Sequence, residues 1–176
     1  MMIILSGGAA SGKSAHAERI LCRHARDARL YLATMEPYGA DAAARIERHR
    51  MLRSGKGFET AERFRDLGGL CFPQRYDGIL LEDLGNLLAN VLFAPDGTAE
   101  RAFDSILAGV SHLQTCCETL VIVTNEVFSD GLPYEGETLR YIGTLARLNA
   151  ALTARADAAA EAVCGILVPK KGGELL

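Results

Sequence analysis

The chain repeats one rhythm. A short continuous run of apolar residues is followed by a polar or glycine-rich break, then by a longer segment whose apolar residues recur every three or four positions. The short runs fall at 2–6, 29–33, 78–82, 119–124 and 163–168. Continuous rather than alternating hydrophobicity marks strands covered on both faces, the situation of a parallel sheet. The longer segments, at 13–26, 40–53, 84–93, 99–115 and 136–160, predict helices. In the fourth of these, Ala99, Phe103, Ile106, Leu107, Val110 and Leu113 share one face. The alanine-rich stretch 146–162 reads as part of the last helix, because alanine has the lowest helix cost of any residue. Strand–helix alternation predicts an α/β fold with a doubly wound, mostly parallel sheet and helices on both faces. No linker divides the chain, so residues 1–176 read as one domain, with 169–176 as a loose tail.

The first break gives the fold its chemistry. Gly7-Gly8-Ala9-Ala10-Ser11-Gly12-Lys13-Ser14 satisfies G-x-x-x-x-G-K-[ST] and stands between an apolar strand and a helix former, the setting of a phosphate-binding P-loop. The glycines let successive backbone N–H groups converge on phosphate oxygens, and the following helix adds the positive end of its dipole. Lys13 is placed to reach the β- and γ-phosphates, and the Ser14 hydroxyl to ligate magnesium. The bland alternative is a glycine turn with Ser11 capping a helix. The fold class is therefore P-loop NTPase-like.

Ligands of such sheets sit beyond the carboxyl ends of the strands. Glu82 and Asp83 follow the apolar run at 79–81; Glu82 reads as a magnesium ligand or proton acceptor, and Asp83 as the N-cap of the next helix. Thr124, Asn125 and Glu126 end another run and suit either ligand contact or turn formation equally. Thr34 and Met35 lie at the same edge. His16, His24 and His112 read as packing or surface residues.

The segment 45–53 is basic. As a helix it aligns Arg45, His49 and Arg53 on one face, with Arg48 and Arg50 nearby. This is either a solvated basic face or a histidine kept neutral and nucleophilic by its arginines.

Composition narrows the partners. A net charge of −3 argues against a nucleic-acid or membrane-surface binder, and no apolar run approaches a membrane span. Five cysteines without C-x-x-C spacing suggest reduced thiols in a cytoplasmic protein.

These residues together resemble the bifunctional adenosylcobinamide kinase / adenosylcobinamide-phosphate guanylyltransferase family of cobalamin assembly. The likeness runs from Ile4–Ser14 through Tyr31-Leu32-Ala33-Thr34, Arg45-Ile46-Glu47-Arg48-His49-Arg50, Phe58–Glu62, Leu80-Leu81-Glu82 and Asn90–Phe93 to Val123-Thr124-Asn125-Glu126-Val127. The resemblance implies phosphorylation of adenosylcobinamide by ATP or GTP. It further implies transfer of GMP from GTP, through a guanylylated histidine, to the phosphorylated acceptor. His49 would carry the guanylyl group, with Lys13 and Glu82 also catalytic. Nucleotide contacts would come from Gly7 to Ser14, from Ala33, Thr34 and Met35, from Arg50, Met51, Leu52 and Arg53, and from Glu62 and Glu82. The resemblance also implies Mg2+, held by Ser14 and Glu82, and a homotrimer. Two other readings compete with it: a plain small-molecule kinase in which His49 only steers phosphate, and a regulatory protein that binds GTP without turnover.

Overall fold

The computed structural model describes residues 1–37, 47, 51, 54–95 and 98–176. Its strands are β1 (Met2–Gly7), β2 (Arg29–Ala33), β3 (Phe58–Glu62), β4 (Tyr76–Glu82), β5 (Cys117–Val123), β6 (Ala158–Val163) and β7 (Ile166–Lys171). Its helices are α1 (Lys13–His24), α2 (Leu84–Leu92), α3 (Ala102–Cys116) and α4 (Gly136–Arg155). The strands form one sheet in the order β3-β2-β4-β5-β1-β6-β7, parallel except for β6 against β7.

The continuous apolar runs are explained by two cores divided by the sheet. Met2, Ile4, Leu30, Leu32, Ile79, Leu81, Leu120 and Ile122 face α2, α3 and α4. Their neighbours Ile3, Leu5, Tyr31, Leu80, Val121 and Val123 face Ala17, Ile20 and Leu21 of α1. Side chains alternate between faces, and each face is covered, so the middles of β1, β2, β4 and β5 are apolar on both sides. The amphipathic stripe of α3 is also as expected: Ile106, Val110 and Leu113 are buried, and Ala99, Phe103 and Leu107 pack beside them.

Three expectations need correction. The helix expected over 136–160 stops at Arg155, and the alanines at 158–160 belong to β6. Asp157 makes the switch: its N–H donates to Met2 O at 2.8 Å, and its carboxylate accepts from Met2 N at 2.7 Å. That clasp starts the pairing of Ala158–Ala162 with Ile3–Gly7, and sheet pairing overrides alanine's helix preference. The strand expected at 163–168 is a hairpin instead. Val163 pairs with Ile166 around Cys164 (φ 50°) and Gly165 (φ 82°), a two-residue turn whose twist matches its flanking strands.

β3 has no continuous apolar run to mark it, because it is an edge strand in which Glu59, Thr60 and Glu62 are exposed. The segment 169–176 is not loose. It finishes β7 and turns back onto α1, where Leu175 and Leu176 pack against the core. There Arg23 Nη1 donates to Leu176 O at 2.9 Å, and the His24 ring meets Leu175 O at 2.8 Å. The helix expected at 40–53 lies almost wholly outside the described residues; Glu47 and Met51 are helical and exposed.

Candidate active site

β1 lies between β5 and β6, and its carboxyl end runs into the P-loop. Ala10 (φ 55°) and Gly12 (φ 89°) are in the left-handed region, which curls the loop around its own backbone. A Cβ on Gly7 would stand 2.5 Å from Ser11 Oγ and 2.7 Å from Ala162 O, so the loop closes only around glycine there. Gly12, not Ser11, is the N-cap of α1; no side chain caps the first turn, and no acidic residue lies in it. This is the arrangement expected of an anion site rather than a self-satisfied helix start. Lys13 Nζ donates to Gly8 O at 3.0 Å, so the ammonium is held within the loop.

Ser14 Oγ donates to Glu82 Oε1 at 2.7 Å across the end of the sheet. Glu82 is buried, and its second oxygen, Oε2, finds no partner among the described residues; the same holds for Ser11 Oγ. Burial, reinforced by the neighbouring Asp83 charge, pushes the Glu82 carboxyl up to about 8 against the pull of Ser14 and Lys13. A hydroxyl beside a carboxylate with a free buried oxygen is a hard oxygen donor set suited to magnesium. The donors present therefore fit the ion that the sequence implied.

Asp83 behaves as a cap. Its Oδ1 accepts from Asn86 N at 2.7 Å, and burial raises its pKa above the usual carboxylate range. Thr34 is committed to the same turn: its hydroxyl donates to Asp83 O at 2.7 Å and accepts from Asp83 N at 2.8 Å. The Thr34 side chain is thus buried in the scaffold, leaving its backbone and half-buried Met35 at the site edge. Ala33 is in register with Glu62 on one side and Glu82 on the other, so these three residues form a row across the ends of β3, β2 and β4. Glu62 also lines a cleft of about 890 Å³ with Glu36, Arg63, Leu87, Val91 and Ile106; the P-loop is not among its walls.

Thr124 and Glu126 are turn formers here. The Thr124 hydroxyl donates to Asn149 Oδ1 at 2.7 Å, and Glu126 accepts from Phe128 N and Ser129 Oγ. Asn125 Nδ2 lies 3.5 Å from Asp83 Oδ1. His49, Arg50, Leu52 and Arg53 lie outside the described residues, as do Arg45 and Arg48; Met51 is exposed.

Beyond those residues the chain is tied to α1 through Lys56. Lys56 Nζ bonds Glu18 Oε2 of α1 at 2.5 Å, and the Glu18 side chain is only 3% exposed.

Two supports escaped sequence reasoning. His16 Nε2 lies 2.9 Å from Gly165 O, while Gly165 N donates to Ser11 O at 3.0 Å, so the β6–β7 hairpin tip braces the P-loop. Asn90 Nδ2 donates to Thr34 O and Phe64 O, tying together the loops after β2 and β3. His16 carried no paired spacing to flag it, and Asn90 stood out only inside a family segment.

A strand, a glycine-rich loop, an uncapped helix and a strand-end carboxylate bonded to the loop serine define a P-loop nucleotide-binding protein. Solved structures share the fold. The flagellar accessory protein FlaH of Methanocaldococcus jannaschii gives a TM-score of 0.51 at 13% identity, covering 99% of this chain and 79% of its own. A type III secretion system ATPase of pathogenic bacteria gives 0.53 at 14% identity, covering 96% of this chain and 56% of its own.

Sequence similarity narrows the class. The family model described as cobinamide kinase / cobinamide phosphate guanyltransferase, CobU, matches residues 3–169, and the chain belongs to that family. Over 185 aligned residues it is 37% identical to the bifunctional adenosylcobalamin biosynthesis protein CobU of Salmonella typhimurium and 34% identical to that of Escherichia coli. Each alignment covers 97% of this chain and 100% of the relative.

Proposed function

We propose that this chain catalyses both reactions named by its family. It phosphorylates the hydroxyl of adenosylcobinamide with ATP or GTP, then moves GMP from GTP to adenosylcobinamide phosphate. The observation that carries this reading is the buried Glu82 carboxyl, half satisfied by Ser14 at the mouth of the P-loop, in a member of that family.

In the first reaction the acceptor hydroxyl oxygen bonds to the γ-phosphorus as the β–γ bridge breaks, the nucleoside diphosphate departs and the hydroxyl proton is released to water. Lys13 leaves Gly8 O to follow the charge on the β- and γ-phosphates. Ser14 and Glu82 would hold Mg2+, which when bound would neutralise phosphate charge and favour the Glu82 carboxylate over its protonated form.

In the second reaction a ring nitrogen of His49 attacks the α-phosphorus of GTP. An N–P bond forms, the α–β bridge breaks, and pyrophosphate departs. A phosphate oxygen of the acceptor then displaces the imidazole, giving adenosylcobinamide-GDP and free His49. Splitting the transfer into two displacements means the acceptor need not be bound together with GTP. Arg50 and Arg53 stabilise the departing charge, while Ala33, Met35, Glu62 and Glu82 border the nucleoside.

The family likeness supports a homotrimeric assembly, and five cysteines without C-x-x-C spacing support a cytoplasmic location. Among the described residues, no helix is long and apolar enough to cross a membrane.

The test is a pair of assays on His49→Ala. Phosphorylation of cobinamide should persist while formation of adenosylcobinamide-GDP stops. Guanylyl transfer at the unsubstituted rate would remove His49 from the mechanism, and phosphorylation without any guanylyl transfer by the unsubstituted chain would leave a plain kinase.

A further inference from the structure

Residues 124–135 leave the sheet in the middle of the site, because β5 lies between β4, which ends at Glu82, and β1, which runs into the P-loop. Glu126 N donates to Gly7 O at 3.0 Å, so the segment starts directly against the phosphate loop.

Its shape is fixed from within by two carboxylates. Glu126 Oε1 accepts from Phe128 N at 3.0 Å and from Ser129 Oγ at 2.9 Å. Asp130 accepts from Leu132 N at 3.1 Å and from the Tyr134 hydroxyl, contacts that hold its carboxyl below the usual range. Among the exposed residues of this stapled loop and the helix after it are three large apolar side chains. Phe128 is 40% exposed and Leu132 62%, and Leu139 on the first turns of α4 is 55% exposed. Large apolar side chains held outward beside a catalytic loop mark a binding face rather than a core.

The charge pattern selects among ligands. Between 124 and 139 the chain carries Glu126, Asp130, Glu135 and Glu137, with no lysine or arginine. Such a surface repels nucleotide phosphates and favours an apolar or cationic partner. The acceptor named by the family has that character: its organocobalt corrin core is a broad apolar macrocycle with net positive charge, rimmed by uncharged carboxamides.

Resting on the function proposed above, we infer that Phe128, Leu132 and Leu139 form the docking face for the corrin ring. The acceptor's hydroxyl-bearing arm then extends inward toward Lys13 and Glu82. The nucleoside then lies over the row Ala33, Glu62 and Glu82, and the corrin over the loop after β5.

The test uses the full chain and the variants Phe128→Ser, Leu132→Ser and the double variant. Three quantities are read: KM for adenosylcobinamide in the kinase assay, KM for the nucleotide, and the amount of protein guanylylated by GTP without corrinoid. Each single change should raise the corrinoid KM about tenfold. Nucleotide KM, guanylylation, melting temperature and oligomeric mass should stay as they are.

An unchanged corrinoid KM in the double variant overturns the assignment. So does an equal rise in nucleotide KM, which would make the loop part of the phosphate site, or a change in oligomeric mass, which would make the patch a contact between copies. Failure of the unsubstituted chain to act on cobinamide at all would instead defeat the functional reading, and this inference with it.

Discussion

Ser14 and Glu82, 68 residues apart, meet through a 2.7 Å hydrogen bond that joins the start of α1 to the end of β4. The bond links the phosphate loop to the one strand-end carboxylate that both the sequence and the family likeness singled out. The carboxylate is buried, and half of its hydrogen-bonding capacity remains open among the described residues. A protein folded only for stability would not leave it so.

That burial gives a pH signature. In the folded chain the Glu82 carboxyl is pushed up to about 8 from an ordinary 4.5, so it keeps a proton that the unfolded chain has already lost. Its stabilising contribution is complete below the unfolded value and is lost as pH rises through the folded one, at a slope of about 1.4 kcal/mol per pH unit. Asp83 shifts the same way and adds a slope of its own. In Glu82→Gln the amide oxygen still accepts from Ser14, but the Glu82 component of the slope disappears. Denaturant unfolding of the ligand-free protein across this pH range should show the variant gaining on the parent as pH rises. Parallel curves would mean that Glu82 is ionised in the fold.

Lys13→Ala should cost both half-reactions about a hundredfold or more, because the ammonium follows charge that develops on the phosphates. The fold should survive, since the lysine's bond to Gly8 O is a local one within the loop. Steady-state rates beside a melting curve decide this; full turnover in the variant would contradict the P-loop assignment.

Lys56→Met leaves Glu18 buried without its ammonium. Lys56 is 40% exposed, so water replaces part of the lost contact, and the cost should be about 1–3 kcal/mol rather than that of a fully buried pair. Because Lys56 follows His49 by seven residues in the chain and is itself held on α1, guanylylation should slow more than cobinamide phosphorylation. An equal effect on both rates would make the pair purely structural.

Gly78→Ala tests how tightly β4 and α1 are packed. A Cβ there would stand 2.5 Å from Leu21 Cδ1 and 2.8 Å from the Ala25 Cβ. Leucine can rotate away, but the Ala25 Cβ moves only with its helix, so α1 must shift, at about 1–3 kcal/mol. Since α1 begins at Lys13, nucleotide affinity should fall together with stability. Chemical denaturation and calorimetric titration with GTP would show whether the two losses travel together.

The parts of this architecture legible in the sequence are those where one local signal agreed with the tertiary outcome. The runs at 2–6, 29–33, 78–82 and 119–124 lie within or overlap β1, β2, β4 and β5, because a strand buried on both faces must be apolar throughout. The P-loop was legible because its backbone demands glycine at fixed positions, as the close approach at Gly7 shows.

The rest depended on partners distant in the chain. Nothing local distinguishes the alanines of β6 from those of α4; the clasp between Asp157 and Met2 does so. β3 hides behind the polar residues of an edge, and the tail's docking depends on Arg23 and His24 offering donors to Leu175 and Leu176. At the site, Thr34 resembled a ligand contact by position, yet its hydroxyl belongs to Asp83's backbone.

The central claim is that one imidazole carries GMP between GTP and the acceptor. Incubating the unsubstituted protein with magnesium and GTP, without corrinoid, and mapping its peptides by mass spectrometry tests this most directly. The account predicts a single acid-labile GMP adduct on His49, absent from His49→Ala and discharged when adenosylcobinamide phosphate is added. An adduct on another residue, or none while adenosylcobinamide-GDP still forms, would contradict it.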